Sequence, residues 1–145
     1  MTNPLNDIRH YSPTMTISQV LKFCEKKGIG ITRAMVQNYI RAGLLPPPAD
    51  KRFYTHKHLA AMVIIERLKT VFDIPAIQEA LLPLMDEDGL SLDVYAQIWE
   101  KTEILLRKWV ELSAEILNEE KDGGTLLTMA CAAGLKSIIQ GELDE

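Results

Sequence analysis

Residues 16–45 read TISQVLKFCEKKGIGITRAMVQNYIRAGLL, and this stretch decides the fold class. Thr16 and Gln19 have the spacing of a capping box, which predicts a helix that ends at the glycines of the 28–30 link. Thr32 predicts the N-cap of a second helix. Two short helices joined by a tight Gly-Ile-Gly link are typical of a helix-turn-helix.

The polar side of the second helix has an unusual composition. It carries no acidic residue, and it presents two arginines and two carboxamides. These side chains contact guanine and adenine edges and hold phosphates. Together with the capping residue they form the predicted DNA-contacting set of this helix: Thr32, Arg33, Gln37, Asn38 and Arg41. An ordinary solvated helix face is the alternative interpretation.

A small β-hairpin is predicted to follow the second helix. The three prolines at 46–48 exclude a helix and favour an extended chain, and residues 49–54 then fit a turn with a short return strand. Lys51 and Arg52 fall near the tip, where we expect them to contact the DNA backbone, although an ordinary basic turn would show the same residues. Tyr54 lies on the return strand, where its phenol can either pack or bind phosphate.

The rest of the chain is predicted to be helical. Thr55, Asp73 and Ser91 are N-cap candidates for three further helices, and a last helix follows the Gly123-Gly124 turn. The acidic stretch at 86–89 is expected to be a solvated linker, because its oxygen ligands do not follow the calcium-loop pattern. The predicted fold class is therefore all-α with a small β-wing.

Charge is divided unevenly along the chain, whose formal net charge is −4. Residues 1–75 carry eleven basic and five acidic residues, whereas residues 76–145 carry five basic and fifteen acidic residues. The first part is suited to a polyanionic partner, and chance combined with solvated helix faces is the alternative explanation.

Residues 16–81 resemble the DNA-binding domain of the MerR family, a winged helix-turn-helix. The matching positions are Thr32, Tyr39, Gly43-Leu44-Leu45, Pro46 or Pro47, Lys51-Arg52-Phe53-Tyr54 and Ile74-Pro75-Ala76-Ile77. Gln37 and Asn38 depart from the family, which usually has an arginine and an aromatic residue there, and Lys51 replaces its first wing tyrosine. The whole chain is also similar to a bacterial MerR-like domain family of unknown function.

The resemblance implies three parts. They are a flexible N-terminal arm over 1–14, a MerR-like winged helix-turn-helix domain over 15–86 and a C-terminal helical dimerisation or effector region over 90–145. The fifth helix, with an apolar stripe of three-four spacing, is the candidate for a homodimer interface, and a compact helical domain that includes the sixth helix is the alternative. The predicted interface residues are Tyr95, Trp99, Leu106, Trp109 and Ile116. The tryptophans would otherwise fill a core or line a pocket for an apolar effector, whose identity the sequence leaves unknown.

Other classes of site find little support in the sequence. There is no catalytic constellation, and we expect neither an enzyme nor a cofactor. Cys24 and Cys131 are too few for a cysteine-built metal site, and His56 and His58 are expected to face solvent in the first turn of a helix. No apolar run approaches the ~20 residues of a membrane span, no secretory signal is visible, and two cysteines are too few for a disulfide framework, so a cytoplasmic protein with reduced thiols is expected.

The sequence is consistent with two functions. The first is a sequence-specific DNA-binding transcriptional regulator that acts as a homodimer on double-stranded DNA. The alternative is a protein-interaction adaptor that retains the winged helix fold without DNA binding.

Overall fold

The structure is a computed structural model, and it describes residues 2–117 and 124–144. These residues form a mostly helical protein with short antiparallel strand pairs. The elements are a 3-10 helix at Ile8–His10, β1 at Thr14–Met15, α1 at Ile17–Lys26, α2 at Arg33–Arg41, β2 at Tyr54–Thr55, α3 at His56–Leu68, α4 at Ile74–Leu81, a 3-10 helix at Leu82–Leu84, β3 at Met85–Asp86, β4 at Gly89–Leu90, α5 at Leu92–Leu117 and α6 at Gly124–Leu143.

Four predicted helix caps are confirmed. The side chains of Thr16, Thr32, Thr55 and Asp73 each accept a hydrogen bond from the backbone N–H three residues ahead. Each bond satisfies a donor that the first helical turn would otherwise leave unpaired, which stabilises the helix by about 1 kcal/mol.

Helix α3 is the centre of the core. Every residue from His58 to Ile65 is buried, so the helix is enclosed on all sides along two turns. It contacts β2 at its N-terminal end, and it also contacts β4. A helix buried on all sides has to be apolar all round, which the sequence of this segment satisfies except at His58.

The described part of the predicted flexible arm, residues 2–14, is anchored to the rest of the first unit. Leu5 and Ile8 are buried, and the Asp7 carboxylate pairs with the ammonium of Lys27 at 2.6 Å. The end of this segment forms β1, which pairs with β2 so that Met15 lies opposite Tyr54. A strand pair between residues 40 positions apart has no local sequence signal.

The acidic residues of the predicted solvated linker, 86–88, are exposed as expected, but the segment is part of a hairpin and not a linker. Strands β3 and β4 pair there as a hairpin, with Met85 opposite Leu90. Leu90 is fully buried. Gly89 has a φ of +124°, and a Cβ at this position would lie 2.6 Å from the carbonyl oxygen of Lys57. The hairpin therefore packs directly against the backbone at the start of α3.

The chain divides into two compact units, Met1–Ile98 and Trp99–Glu145, so the first extends past the predicted boundary near residue 90. Tyr95 belongs to the first unit, where it is buried and its hydroxyl donates to the Asn3 side-chain oxygen at 2.7 Å. Tyr95 was predicted to lie in a dimer interface, and this prediction is wrong because the residue fills the core of its own chain.

The second unit contains most of α5 and all of α6. Many of its large apolar side chains are exposed: Ile104, Leu105, Leu106, Val110, Leu112, Leu126, Leu127, Met129, Leu135, Ile138 and Ile139. Trp99 and Trp109 are partly buried. The side chain of Ile116 lies outside the described residues. Across residues 2–117 and 124–144, no helix is both long enough and apolar enough to cross a bilayer.

The close approach of Gly89 to α3 gives a direct test of the packing. We expect Gly89→Ala to lower the free energy of unfolding by about 3 kcal/mol, because the added methyl group meets rigid backbone and the φ angle disfavours an L residue. Gly30→Ala is the matched control, since a Cβ there meets nothing within 4 Å. Urea denaturation measures both, and equal losses in the two variants would contradict this packing.

Candidate nucleic-acid interface

Helix α2 is held in one orientation by its buried side. Val36 and Tyr39 are buried, and the Tyr39 hydroxyl donates to the Glu66 carboxylate at 2.7 Å. That carboxylate also pairs with the Lys69 ammonium at 2.6 Å. Burial and the Glu66 carboxylate together raise the pKa of Tyr39, so the phenol stays protonated and keeps this contact. The rotation of α2 about its axis is therefore fixed by its buried side.

The opposite side of α2 is open to solvent. The five predicted contact residues of this helix and its cap are all exposed: Thr32, Arg33, Gln37, Asn38 and Arg41. Arg33 and Arg41 form no ion pair with any carboxylate in the described part of the chain. Their charges are therefore available to a partner.

The predicted hairpin after α2 is present as a tight turn. Ala49 and Phe53 form an isolated antiparallel bridge, with Phe53 N–H donating to the Ala49 carbonyl at 2.9 Å. Three residues, 50–52, separate the bridged pair, and two of them, Asp50 and Lys51, have left-handed φ angles of 51° and 60°. We call residues 48–53 the basic hairpin. It is short because β2, which follows it, pairs with β1 instead of with the proline segment.

The tip of the basic hairpin presents its charges outward. Lys51 and Arg52 are exposed, and the Arg52 guanidinium lies 5.2 Å from the centre of the Phe53 ring. This stacking restrains the arginine without neutralising it. Asp50 at the same turn is an exposed acid, so the tip is not purely basic.

His58 connects the base of the hairpin to α3. The Thr55 N–H donates to its Nδ1 at 3.0 Å, and its Nε2 lies 3.2 Å from the Pro46 carbonyl oxygen and 3.4 Å from that of Pro47. These partners are satisfied together by the neutral imidazole that carries its proton on Nε2. Burial lowers the pKa of His58 below its ordinary 6.5, which favours the same neutral form.

His58 was predicted to face solvent, and this prediction is wrong. The residue is 1% exposed, because its ring occupies the space between the proline segment and the N-terminal turn of α3. It also fills the glutamate position of a capping box with Thr55. The three-residue spacing of Thr55 and His58 was the one signal in the sequence that indicated this capping role. His56 is partly exposed, and its Nε2 lies 2.9 Å from the Ser12 carbonyl oxygen.

A groove of about 250 Å³ joins α2 to the basic hairpin. Its lining includes Arg33 and Gln37 from α2 together with Lys51 and Arg52 from the hairpin. Tyr54 also lines it, and since only 6% of this residue is exposed, the ring serves as floor. The structure thus brings five of the eight predicted DNA-contacting residues to one concave surface.

The other three predicted residues lie outside the groove lining. Thr32 precedes α2 as its cap, and Asn38 and Arg41 lie further along the exposed side of the helix. The Arg41 guanidinium donates to the Asn38 side-chain oxygen at 3.3 Å. Two lining residues were missed by the sequence reasoning: Thr16 and Ile17, at the start of α1. The Thr16 capping box predicts that these residues begin a helix, but it does not predict that they line a groove.

Residues suited to metal chemistry are not assembled in the described ranges, where no group of three histidine, cysteine or acidic side chains is placed to hold an ion. Cys24 is buried, and burial together with the nearby Glu66 carboxylate raises its pKa to about 12. Its thiol therefore stays protonated at neutral pH.

A protein-family comparison covers this whole region. Residues 8–101 match the model of a family described as a domain of unknown function, DUF1836. The chain belongs to this family. The DUF1836 segment contains α1 to α4, both strand pairs and every residue that lines the groove. This membership confirms the expected similarity to a domain family of unknown function. The resemblance to the MerR family stays a prediction. No curated protein and no solved structure matches the chain significantly.

The buried imidazole makes stability depend on pH. The pKa of His58 is lower in the folded chain than in the unfolded chain, so the unfolded chain binds a proton more tightly at this residue. The contribution of neutral His58 to the free energy of unfolding is therefore complete above pH 6.5 and is lost as the pH falls. We expect His58→Gln to lose about 2 kcal/mol at pH 8, since buried partners become unsatisfied, and to lose less relative to wild type at pH 5.

Chemical denaturation at several pH values measures this difference. His56→Gln is the matched control, because His56 lies two residues away and is only partly buried. A constant difference between wild type and His58→Gln from pH 8 to pH 5 would show that His58 does not titrate with folding.

Proposed function

We propose that the chain is a sequence-specific DNA-binding transcriptional regulator that acts as a homodimer. Helix α2 would enter the major groove, and the basic hairpin would act as the wing of a MerR-like winged helix-turn-helix. The observation that carries this proposal is the shared groove, in which Arg33 and Gln37 face the same concavity as Lys51 and Arg52.

Each part of this surface has a chemical role on DNA. Gln37 and Asn38 are carboxamides, which form paired hydrogen bonds with adenine edges in the major groove. The arginines and Lys51 supply cations for the phosphates on either side, and these charges determine affinity and register. Tyr54, as the buried floor, would support the surface and leave the contacts to its neighbours.

The homodimer is supported by the apolar surface of the second unit. Leu105 and Leu112 are 67% and 58% exposed, and they lie seven residues apart on one face of α5. Exposure of such an apolar face to water is unfavourable, and a second copy of the chain would bury it. Two copies would also double the contacts that one small domain can make with a duplex.

The DNA-binding proposal is tested by removing charge from α2. We expect Arg33→Ala combined with Arg41→Ala to weaken binding to a short mixed-sequence DNA duplex by about 30-fold, because each lost contact is worth roughly 1 kcal/mol. Fluorescence anisotropy at low salt measures the affinity, and circular dichroism checks that the fold is retained.

Lys101→Ala combined with Lys108→Ala is the matched control, since it removes two exposed positive charges from α5. DNA binding that falls equally in both double variants would indicate a general charge effect. Wild-type protein that binds no duplex at low salt would favour the adaptor, because an adaptor of the same fold needs no phosphate contacts.

The dimer is tested on α5. We expect Leu105→Glu combined with Leu112→Glu to convert a dimer of the 16.3 kDa chain into a monomer, because buried carboxylates would face each other across the interface. Sedimentation equilibrium measures the mass. Val71→Glu is the control, since Val71 is a half-exposed apolar residue of the first unit. A wild-type monomer at all concentrations would contradict the dimer.

A further inference from the structure

A second groove, of about 450 Å³, lies between the N-terminal segment and α1. Met15 and Phe23 line it and are each only 3% exposed, so they form a fixed apolar floor. The Tyr11 ring meets Phe23 edge to face, with 4.9 Å between ring centres. This packing gives the groove a preformed aromatic wall.

Two cations stand at the edge of this floor. Lys22 and Lys26 line the groove from successive turns of α1, and both side chains are at least partly exposed to solvent. The Lys26 ammonium lies 3.3 Å from the Tyr11 hydroxyl and 5.8 Å from the centre of its ring. Neither lysine pairs with a carboxylate anywhere in residues 2–117 or 124–144.

The Asp7 carboxylate interacts electrostatically with Lys26, but neither Asp7 nor Glu25 forms an ion pair with the two lysines of the groove. Asp7 is already held by Lys27 at 2.6 Å. Glu25 is exposed on α1 and does not line the groove. Gln19 and Ser12 add neutral polar groups to the lining. The groove therefore combines an apolar floor with two lysines that form no ion pair in the described residues and with no acid in its lining.

We infer that this groove binds a small organic anion whose apolar body carries one carboxylate or sulfonate group. The body would lie on Met15 and Phe23 against the Tyr11 ring, and the anion would face Lys22 and Lys26. The volume falls in the range of small-molecule sites, whereas a stable protein interface needs about 800 Å² per partner.

The position of this groove connects it to the candidate nucleic-acid interface. Met15 lines the anion groove and pairs in the sheet with Tyr54, which lines the DNA-facing groove. Thr16 and Gln19 form one capping box, and each lines a different groove. The binding site itself does not depend on the proposed DNA function.

The test uses the full-length chain labelled with ¹⁵N and two probes that share the same rings, 2-naphthoate and 2-naphthalenemethanol. We expect naphthoate to shift the amide signals of residues 11–26 in a saturable manner. We expect the neutral alcohol to bind about tenfold more weakly, because it lacks the attraction to the two ammonium groups.

Three variants separate the contribution of the two lysines to affinity from the contribution of the apolar groove. Lys22→Gln combined with Lys26→Gln is expected to reduce naphthoate affinity to that of the alcohol and to leave the alcohol unchanged. Ser12→Trp, which fills the groove from an exposed position, is expected to abolish binding of both. Lys101→Gln combined with Lys108→Gln is the control and is expected to change neither affinity.

Two results would overturn the inference. One is equal affinity of wild type for naphthoate and the alcohol. The other is a set of shifts at the exposed apolar residues of α5 and α6 instead of at residues 11–26. Amide spectra of each variant without probe confirm that it is folded, so a loss of binding cannot arise from unfolding.

Discussion

The buried imidazole of His58 holds together the parts of the first unit that carry the proposed function. It accepts a hydrogen bond from the start of α3 and approaches two carbonyl groups of the proline segment that leads into the basic hairpin. The Tyr54 ring packs edge-on against it, with 5.4 Å between ring centres. Without this side chain, the hairpin would lose its polar anchor to the core, because its own pairing consists of one isolated bridge.

Helix α2 is also positioned by a polar contact with α3. The Tyr39 hydroxyl is fixed by Glu66 on α3, and the arginines on the exposed side of α2 are then presented to solvent. The central helix α3 therefore orients α2 through Glu66 and the basic hairpin through His58, and these two elements line the groove. Rigid support of this kind reduces the conformational entropy that binding would otherwise cost.

Local signals in the sequence were sufficient for most of the helices. Thr16, Thr32, Thr55 and Asp73 were identified as caps because a cap depends on a side chain and a backbone N–H only three residues apart. The exposed face of α2 was identified for a similar reason, since helical periodicity alone separates it from the buried face.

Contacts between distant parts of the chain were not foreseen. Pairing of β1 with β2 and burial of Leu5 join segments that share no period or motif. Tyr95 belongs by spacing to the apolar stripe of α5, yet its partner is Asn3, more than ninety residues away. The groove itself depends on how α2, the basic hairpin and the start of α1 meet, which no single stretch of sequence encodes.

In the proposed function, α2 and the basic hairpin form one surface for duplex DNA. Selection of bound duplexes from a random pool, followed by titration of the winning duplex with salt, tests it most directly. We expect enrichment of a palindromic sequence whose affinity falls steeply and linearly on a logarithmic scale as salt rises, as displaced counterions require. A pool that remains random after repeated selection, or an affinity that does not change with salt, would contradict it.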